Sequence, residues 1–234
     1  MLNLMKLEWR KNQLTSYLKY VVGSIFVIFL LTSLMAIGAN SQEEVMFVDF
    51  ASFMSLVTIF IRLVFVIFSG ILLSRLIVDE YKNNTIQVLF SYPIKRAKMM
   101  KSKLLLVWAY CFFSLLVATI CIDSLIFIVN PILDLFPEKV TLAMIIRTLP
   151  PTVIEAFMTA CLSLIPLYFG LRKKSTATTI TLAVLIGFLV NGTVSDDSAQ
   201  VNLSQIIVIP ALLSLLGLMV GYLSYHNIET KDVG

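Results

Sequence analysis

A chain of 234 residues, 59% of them apolar and only 14% charged, with a mean hydropathy of +0.92, lies outside the ordinary soluble class, whose apolar share is roughly 45–50%. The formal charge of +4 does not mark a nucleic-acid partner, because the basic residues fall in short segments between apolar runs, which is a membrane-orientation pattern. No polar stretch is long enough to bury a core of its own, so residues 1–234 are expected to form a single membrane domain.

Residues 1–17 come first. Leu2, Met5, Trp9 and Leu14, with Tyr17 and Leu18, share one side of a helix, while Lys6, Glu8, Arg10, Lys11 and Asn12 point largely elsewhere. This predicts an interfacial helix lying in the lipid headgroups, with Trp9 at the level that aromatic rings favour. The apolar run that follows exceeds the ~7–15 residues of a signal-peptide core and reads as an uncleaved span.

Six stretches approach the ~20 helical residues needed to cross a hydrocarbon core: 18–39, 51–76, 104–130, 150–170, 177–194 and 203–225. Helices are expected because each backbone N–H and C=O must be satisfied within its own segment in lipid, and the runs show no strand-like alternation. The fold class is therefore all-α and polytopic. Between the third and fourth spans, Asn130, Pro131, Asp134, Pro137 and Glu138 break the pattern, and a short apolar piece, 140–149, meets Pro150 and Pro151. Because proline interrupts a helix, a short interfacial or re-entrant helix is expected there, followed by the fourth span. Cys111, Cys121 and Cys161 lie inside apolar runs without paired spacing or nearby histidines and read as small packing residues.

Lysine and arginine fix the orientation. Lys6, Arg10, Lys11 and Lys19 precede the first span; Arg75, Lys82, Lys95, Arg96, Lys98, Lys101 and Lys103 surround the gap after the second; Arg172, Lys173 and Lys174 follow the fourth; Lys231 ends the chain. The alternate gaps carry Glu43, Glu44, Asp49, Asp134, Glu138, Asp196 and Asp197, with Lys139 the one basic residue clearly among them. The positive-inside rule then places both termini in the cytoplasm of a plasma-membrane protein.

The longest polar segment, 77–103, is the expected cytoplasmic loop. Within it Ile86, Leu89 and Phe90 have the spacing of an apolar helical stripe, ended by Ser91, Tyr92 and Pro93. Such a stripe needs a partner surface, and docking into a groove of a cytoplasmic protein is the sharper reading than dipping into the bilayer. With Glu80, Thr85, the apolar stripe, Pro93 and Arg96, followed by Lys101 or Lys103, the chain resembles the ABC-2 type permeases of ABC transporters. Asn84 stands where glycine would be usual, and asparagine tolerates the same left-handed backbone.

The resemblance implies that the loop is a coupling helix seated on a separate ATP-binding cassette subunit. The chain has no G-x-x-x-x-G-K-[ST] phosphate loop, so no cofactor is expected on it directly, and ATP with Mg belongs to the partner. The implied assembly pairs two ATPases with two permeases, the second being another copy or a related chain. It also implies a bacterial plasma membrane and, by similarity to small bacterial permeases, export of antimicrobial or amphipathic peptides.

Three ionisable residues lie within the expected spans: Arg62, Asp123 and Glu155. A charge at the bilayer centre costs about 2.5–3.5 kcal/mol on insertion scales, so they should face protein or water. Arg62 and Glu155 are expected to pair and hold helices in register, with Asp123 a second partner for Arg62; alternatively Glu155 or Asp123 lines a route for a cationic substrate. His226 is the lone histidine and reads as an interface residue. No catalytic constellation appears: there is no H-E-x-x-H helix, and Asp123 has no matching aspartate in another span. A scaffold or channel that recruits a cytoplasmic partner through 79–96 is the alternative from another class. A secondary transporter fits less well, since neither inverted repeats nor helices broken at the midplane are evident.

Overall fold

A computed structural model of the chain describes residues 2–40, 50–82, 96–133, 140–191, 193–196, 199–202 and 208–226. In chain order the elements are α1 (Leu2–Lys11), α2 (Leu14–Asn40), α3 (Phe50–Leu73), a π-helical segment (Ser74–Val78), α4 (Asp79–Lys82), α5 (Arg96–Leu133), α6 (Leu142–Leu162), α7 (Pro166–Lys173), α8 (Thr176–Val190), strands β1 (Thr193–Asp196) and β2 (Ala199–Asn202), and α9 (Val208–His226). Four stretches are long and apolar enough to cross a membrane: Leu14–Gly38, Phe50–Lys82, Lys98–Leu133 and Leu142–Lys173. Two shorter apolar helices, Thr176–Val190 and Pro210–Ser224, complete the set.

The membrane part is helical as its composition requires. The departure is a small antiparallel hairpin after α8, in which Thr193 registers with Asn202 and Val194 with Val201. It falls where the apolar run ends and β-branched residues alternate with polar ones, the pattern of a short strand.

Helix α5, at 38 residues, is about 57 Å long at 1.5 Å per residue, far more than the ~30 Å hydrocarbon thickness. Its first turns carry Lys98, Lys101 and Lys103. At that same end lie α1, α4 and the exposed Arg172, Lys173 and Lys174 of the α7–α8 turn. Gly170 of α7 comes close enough to Val78 that a Cβ there would sit 3.2 Å from its methyl group. The basic segments thus gather at one end of the bundle.

Two expectations for the fourth span are corrected. Residues 140–149 do not form a separate short helix, because α6 runs continuously through Pro150 and Pro151. Both prolines are exposed mid-helix, where their missing donors leave the Ile146 and Arg147 carbonyls without the usual intrahelical partner but do not end the helix. The real interruption lies at 163–165. Pro166 has no N–H for the Leu162 carbonyl; the Ile165 N–H donates to it instead at 3.0 Å, and the Leu164 N–H donates to the Cys161 carbonyl at 3.2 Å. From α3 the Ser69 hydroxyl bonds the Ser163 hydroxyl at 2.9 Å, a buried contact that pins the break.

Helices in lipid gain nothing by burying apolar surface against one another, so association depends on close packing. α3 is the hub, touching α2, α5 and α8, and α9 packs on α6. The closest approaches are made at glycines. A Cβ on Gly70 would lie 2.3 Å from the Ala183 Cβ, and one on Gly217 would lie 2.0 Å from the Cys161 carbonyl oxygen. The Gly217 contact is against backbone at the α6 break, so it has no side chain that can move aside. A Cβ on Gly221, one turn later, would meet only the Leu164 Cδ1 at an ordinary 3.6 Å. Gly217→Ala should therefore destabilise the protein by about 1–3 kcal/mol through overpacking, whereas Gly221→Ala should be close to neutral. Thermal unfolding in mild detergent, followed by loss of the monodisperse chromatographic peak, checks the contrast.

Candidate functional site

Two charged constellations stand out, one at the basic end and one within the helices. At the basic end the chain turns sharply between α1 and α2. The Asn12 backbone N–H and its side-chain amide both donate to the Glu8 carbonyl at 3.1 Å. Gln13 then takes a left-handed φ of 48°. This turn folds α1 onto α5, where Trp9 meets Tyr110 at 5.9 Å between ring centroids. Tyr110 continues to Phe68 and Phe68 to Tyr17, each at 6.0 Å. Arg75 donates to the Tyr17 hydroxyl at 2.8 Å.

Seating α1 this way turns Glu8 inward, leaving it 8% exposed. It faces Lys103 of α5, whose Nζ lies 3.5 Å from Glu8 Oε1 and is almost wholly buried. The same ammonium donates to Glu80 Oε2 of α4 and, at 3.0 Å, to the Leu76 carbonyl. That carbonyl lies in the π segment, where the Asp79 N–H reaches back five residues to Ser74 and the normal ladder shifts by one. Glu80 Oε1 accepts from Lys11 at 2.9 Å. Burial alone would lower the Lys11 pKa, but the Glu80 hydrogen bond and the charges of Glu80 and Glu8 outweigh it and raise the pKa above 10.5. The pair's contribution is therefore complete below the ordinary lysine value and fades only as pH rises past the raised one. Three separate elements, α1, α4 and α5, thus meet in one ion network.

The loop residues Thr85, Ile86, Leu89, Phe90 and Pro93 lie outside the described residues, and Arg96 opens α5. What is described is the stem on either side of that loop: α4 before it and α5 after it, joined by Lys103 and Glu80. Both Glu80 carboxylate oxygens are engaged within the chain. Lys103 was legible as a basic residue of the loop and, with Lys101 as the alternative, as the end of the motif that begins at Glu80, but not as that residue's partner, and Glu8 was legible as an outward charge. A carboxylate on the face opposite Trp9, with a lysine at the foot of the next apolar run, was the available signal.

Within the helices, Arg62 Nη2 donates to Glu155 Oε2 at 3.2 Å, joining α3 to α6. Arg62 is buried, whereas the Glu155 side chain is 49% exposed. The hydroxyl-bearing Thr58, Thr119, Thr152 and Thr159 line a small crevice of about 30 Å³ beside the pair. A second opening of about 130 Å³ lies on the other side, reaching Val190 and Pro210. Asp123 does not pair with Arg62. It is fully buried and neither carboxyl oxygen has a hydrogen-bond partner. The Thr148 side chain interacts with it but gives its own hydroxyl proton to the Ile145 carbonyl at 2.7 Å. Nothing about an isolated aspartate in an apolar run indicates which neighbour it will find.

The buried guanidinium makes the Arg62–Glu155 pair costly to break, though the half-exposed partner keeps the loss below the ~3–5 kcal/mol of a fully buried pair. Arg62→Glu and Glu155→Arg should each lower folded yield from membranes several-fold, and the double exchange should recover most of it. Quantifying monodisperse protein for the three variants checks this.

The comparisons with known proteins agree with this arrangement. A family model described as ABC-2 family transporter protein matches residues 4–191, the stretch from α1 through α8. The chain is 29% identical over 231 residues to uncharacterized protein YcbO of Bacillus subtilis (strain 168), covering 99% of this chain and 100% of that one. No solved structure matches. A helical bundle with several stretches able to cross a membrane, matched by the family model over most of its length, belongs to the ABC-2 family of transporter proteins and so to the membrane components of ABC transporters.

Proposed function

We propose that this chain is the permease subunit of an exporter for a hydrophobic or amphipathic substrate, most simply a peptide, driven by ATP that a separate cassette subunit hydrolyses. Its basic end faces the bacterial cytoplasm, where the segment 79–96 docks on that ATPase. The observation that carries the reading is the ion network around Lys103. A loop that transmits force must not swing freely on its two stems, and here a buried ammonium ties one stem to the other and both to α1. ATP and Mg remain on the partner, and this chain supplies the lever.

The substrate route lies between this subunit and a second permease, identical or related. Support comes from Glu155: half of a carboxylate inside a span faces away from its own subunit, which is tolerable only against protein or water. Its charge favours a cationic amphipathic substrate, and Arg62 holds it in place.

Purification from native membranes in mild detergent should recover an ATP-binding subunit with this chain. Leu89→Asp or Phe90→Asp should remove that subunit, because a charge in an apolar docking stripe is left desolvated. Lys103→Met should instead leave the ATPase bound and hydrolysing while reducing substrate export about tenfold or more, since it releases the stem without touching the docking face. Recovery of the chain alone, with the loop variants unchanged, would overturn the reading in favour of a scaffold.

A further inference from the structure

Beneath α1, and beyond the Lys103 network along α5, α1, the start of α2 and α5 leave an open crevice of about 450 Å³. Its floor is Leu106, Ala109, Tyr110 and Phe113 of α5, one helical face that α2 does not cover. Trp9 forms the roof. The walls are almost entirely apolar, and the only charged group lining them is Lys6, exposed at the rim. We infer that this crevice is a binding site for an anionic phospholipid, with an acyl chain lying on the α5 face beneath Trp9 and the phosphate against Lys6.

Three observations select that occupant. The first is size. Three turns of an α-helix about 10 Å across fill on the order of 1,000 Å³, so a crevice of about 450 Å³ suits a single acyl chain better than a helix from another subunit. The second is charge. Glu8, the only acidic residue of α1, is turned inward to Lys103 and Asn12. The outward side of the helix therefore presents Lys6 and Arg10 without a compensating carboxylate, together with a half-exposed Lys11 held protonated by Glu80. A zwitterionic headgroup would bring its own cation toward that surface, and an anionic one does not. The third is depth. Lys6 and Trp9 mark the headgroup level, and the floor below them runs toward Val117 in the apolar layer. The inference rests on membrane embedding alone and not on the ATPase partner or the substrate.

The chain has two tryptophans, and the other, Trp108, stacks on Phe112 away from the crevice. In a Trp108→Phe background, Trp9 therefore reports occupancy by fluorescence quenching in vesicles containing lipids brominated on the acyl chain. Brominated phosphatidylglycerol should reach half-maximal quenching at a mole fraction roughly fivefold lower than brominated phosphatidylcholine, the bias that one lysine near an anionic lipid contributes. Lys6→Gln should bring the two lipids to within about twofold of each other. Ala109→Phe, which fills the floor, should remove the saturable part of the quenching. Equal half-maximal fractions for the two lipids in the unsubstituted crevice would reduce it to ordinary annular contact and overturn the proposal. Absence of quenching by either lipid would overturn it in favour of protein covering this face. Lys6→Gln alters an exposed side chain, so it keeps the proposal open to refutation even if Ala109→Phe fails to fold.

Discussion

A lysine ammonium with almost no solvent contact must find its counter-charges in the protein, and much of the basic end is arranged around that requirement. Lys103 takes Glu80 from α4, Glu8 from α1 and a backbone carbonyl from the π segment. Each partner is itself placed by something local. The Asn12–Gln13 turn brings Glu8 in, and the π segment, by adding one residue to the turn before α4, sets the rotation of the helix that carries Glu80. Removing both Glu8 and Glu80 would strand the buried Lys103 ammonium, where an unpaired ion costs several kcal/mol. The network therefore specifies a mutual arrangement of α1, α4 and α5 more than it adds net stability.

A second constraint acts in the apolar layer, where association depends on contact distance instead of solvent exclusion. Gly70 and Gly217 bring α8 onto α3 and α9 onto the broken part of α6. The break at 163–165 and the glycine opposite it fit together: the irregular backbone needs a neighbour without a side chain, and Ser69 supplies the polar contact from the other direction. Arg62 and Glu155 sit between these close-packed regions, and the threonines beside them keep that part of the α3–α6 seam polar. An ion pair there fixes register between two long helices whose apolar surfaces alone would tolerate sliding.

Much of this was legible in the sequence, and the remainder was not for identifiable reasons. The apolar runs correspond to the helices because lipid admits few alternatives for an unpaired backbone. The Arg62–Glu155 pair was one expectation for two opposite charges near the middle of their spans, with Asp123 the other partner offered to Arg62, and the structure forms the first. The α6 break was misplaced because the Pro150–Pro151 pair is the louder signal, yet α6 runs through both exposed prolines, while at Pro166 the Leu162 carbonyl loses its usual donor and takes the Ile165 N–H instead. The Lys103 network was hidden because charge counts assign every lysine near a loop to solvent. Whether Glu8 points in or out depends on a turn at Asn12 and Gln13 that has no glycine or proline to announce it.

The position of α1 links these levels. It is amphipathic in two senses: its apolar side, with Trp9, lies on the aromatic cluster of α2, α3 and α5, and its single carboxylate reaches the loop stem through Lys103. Any displacement of α4 relative to α5 therefore pulls on a helix whose Lys6 and Arg10 are exposed. Because the turn at Gln13 is short and α2 begins one residue later, that displacement cannot be absorbed by slack chain. It must appear as a tilt of α2 or as a movement of α1 across the bilayer surface. A lipid held under α1 would resist the second and favour the first, so that the membrane's own charge would set how stiffly the loop is connected to the spans.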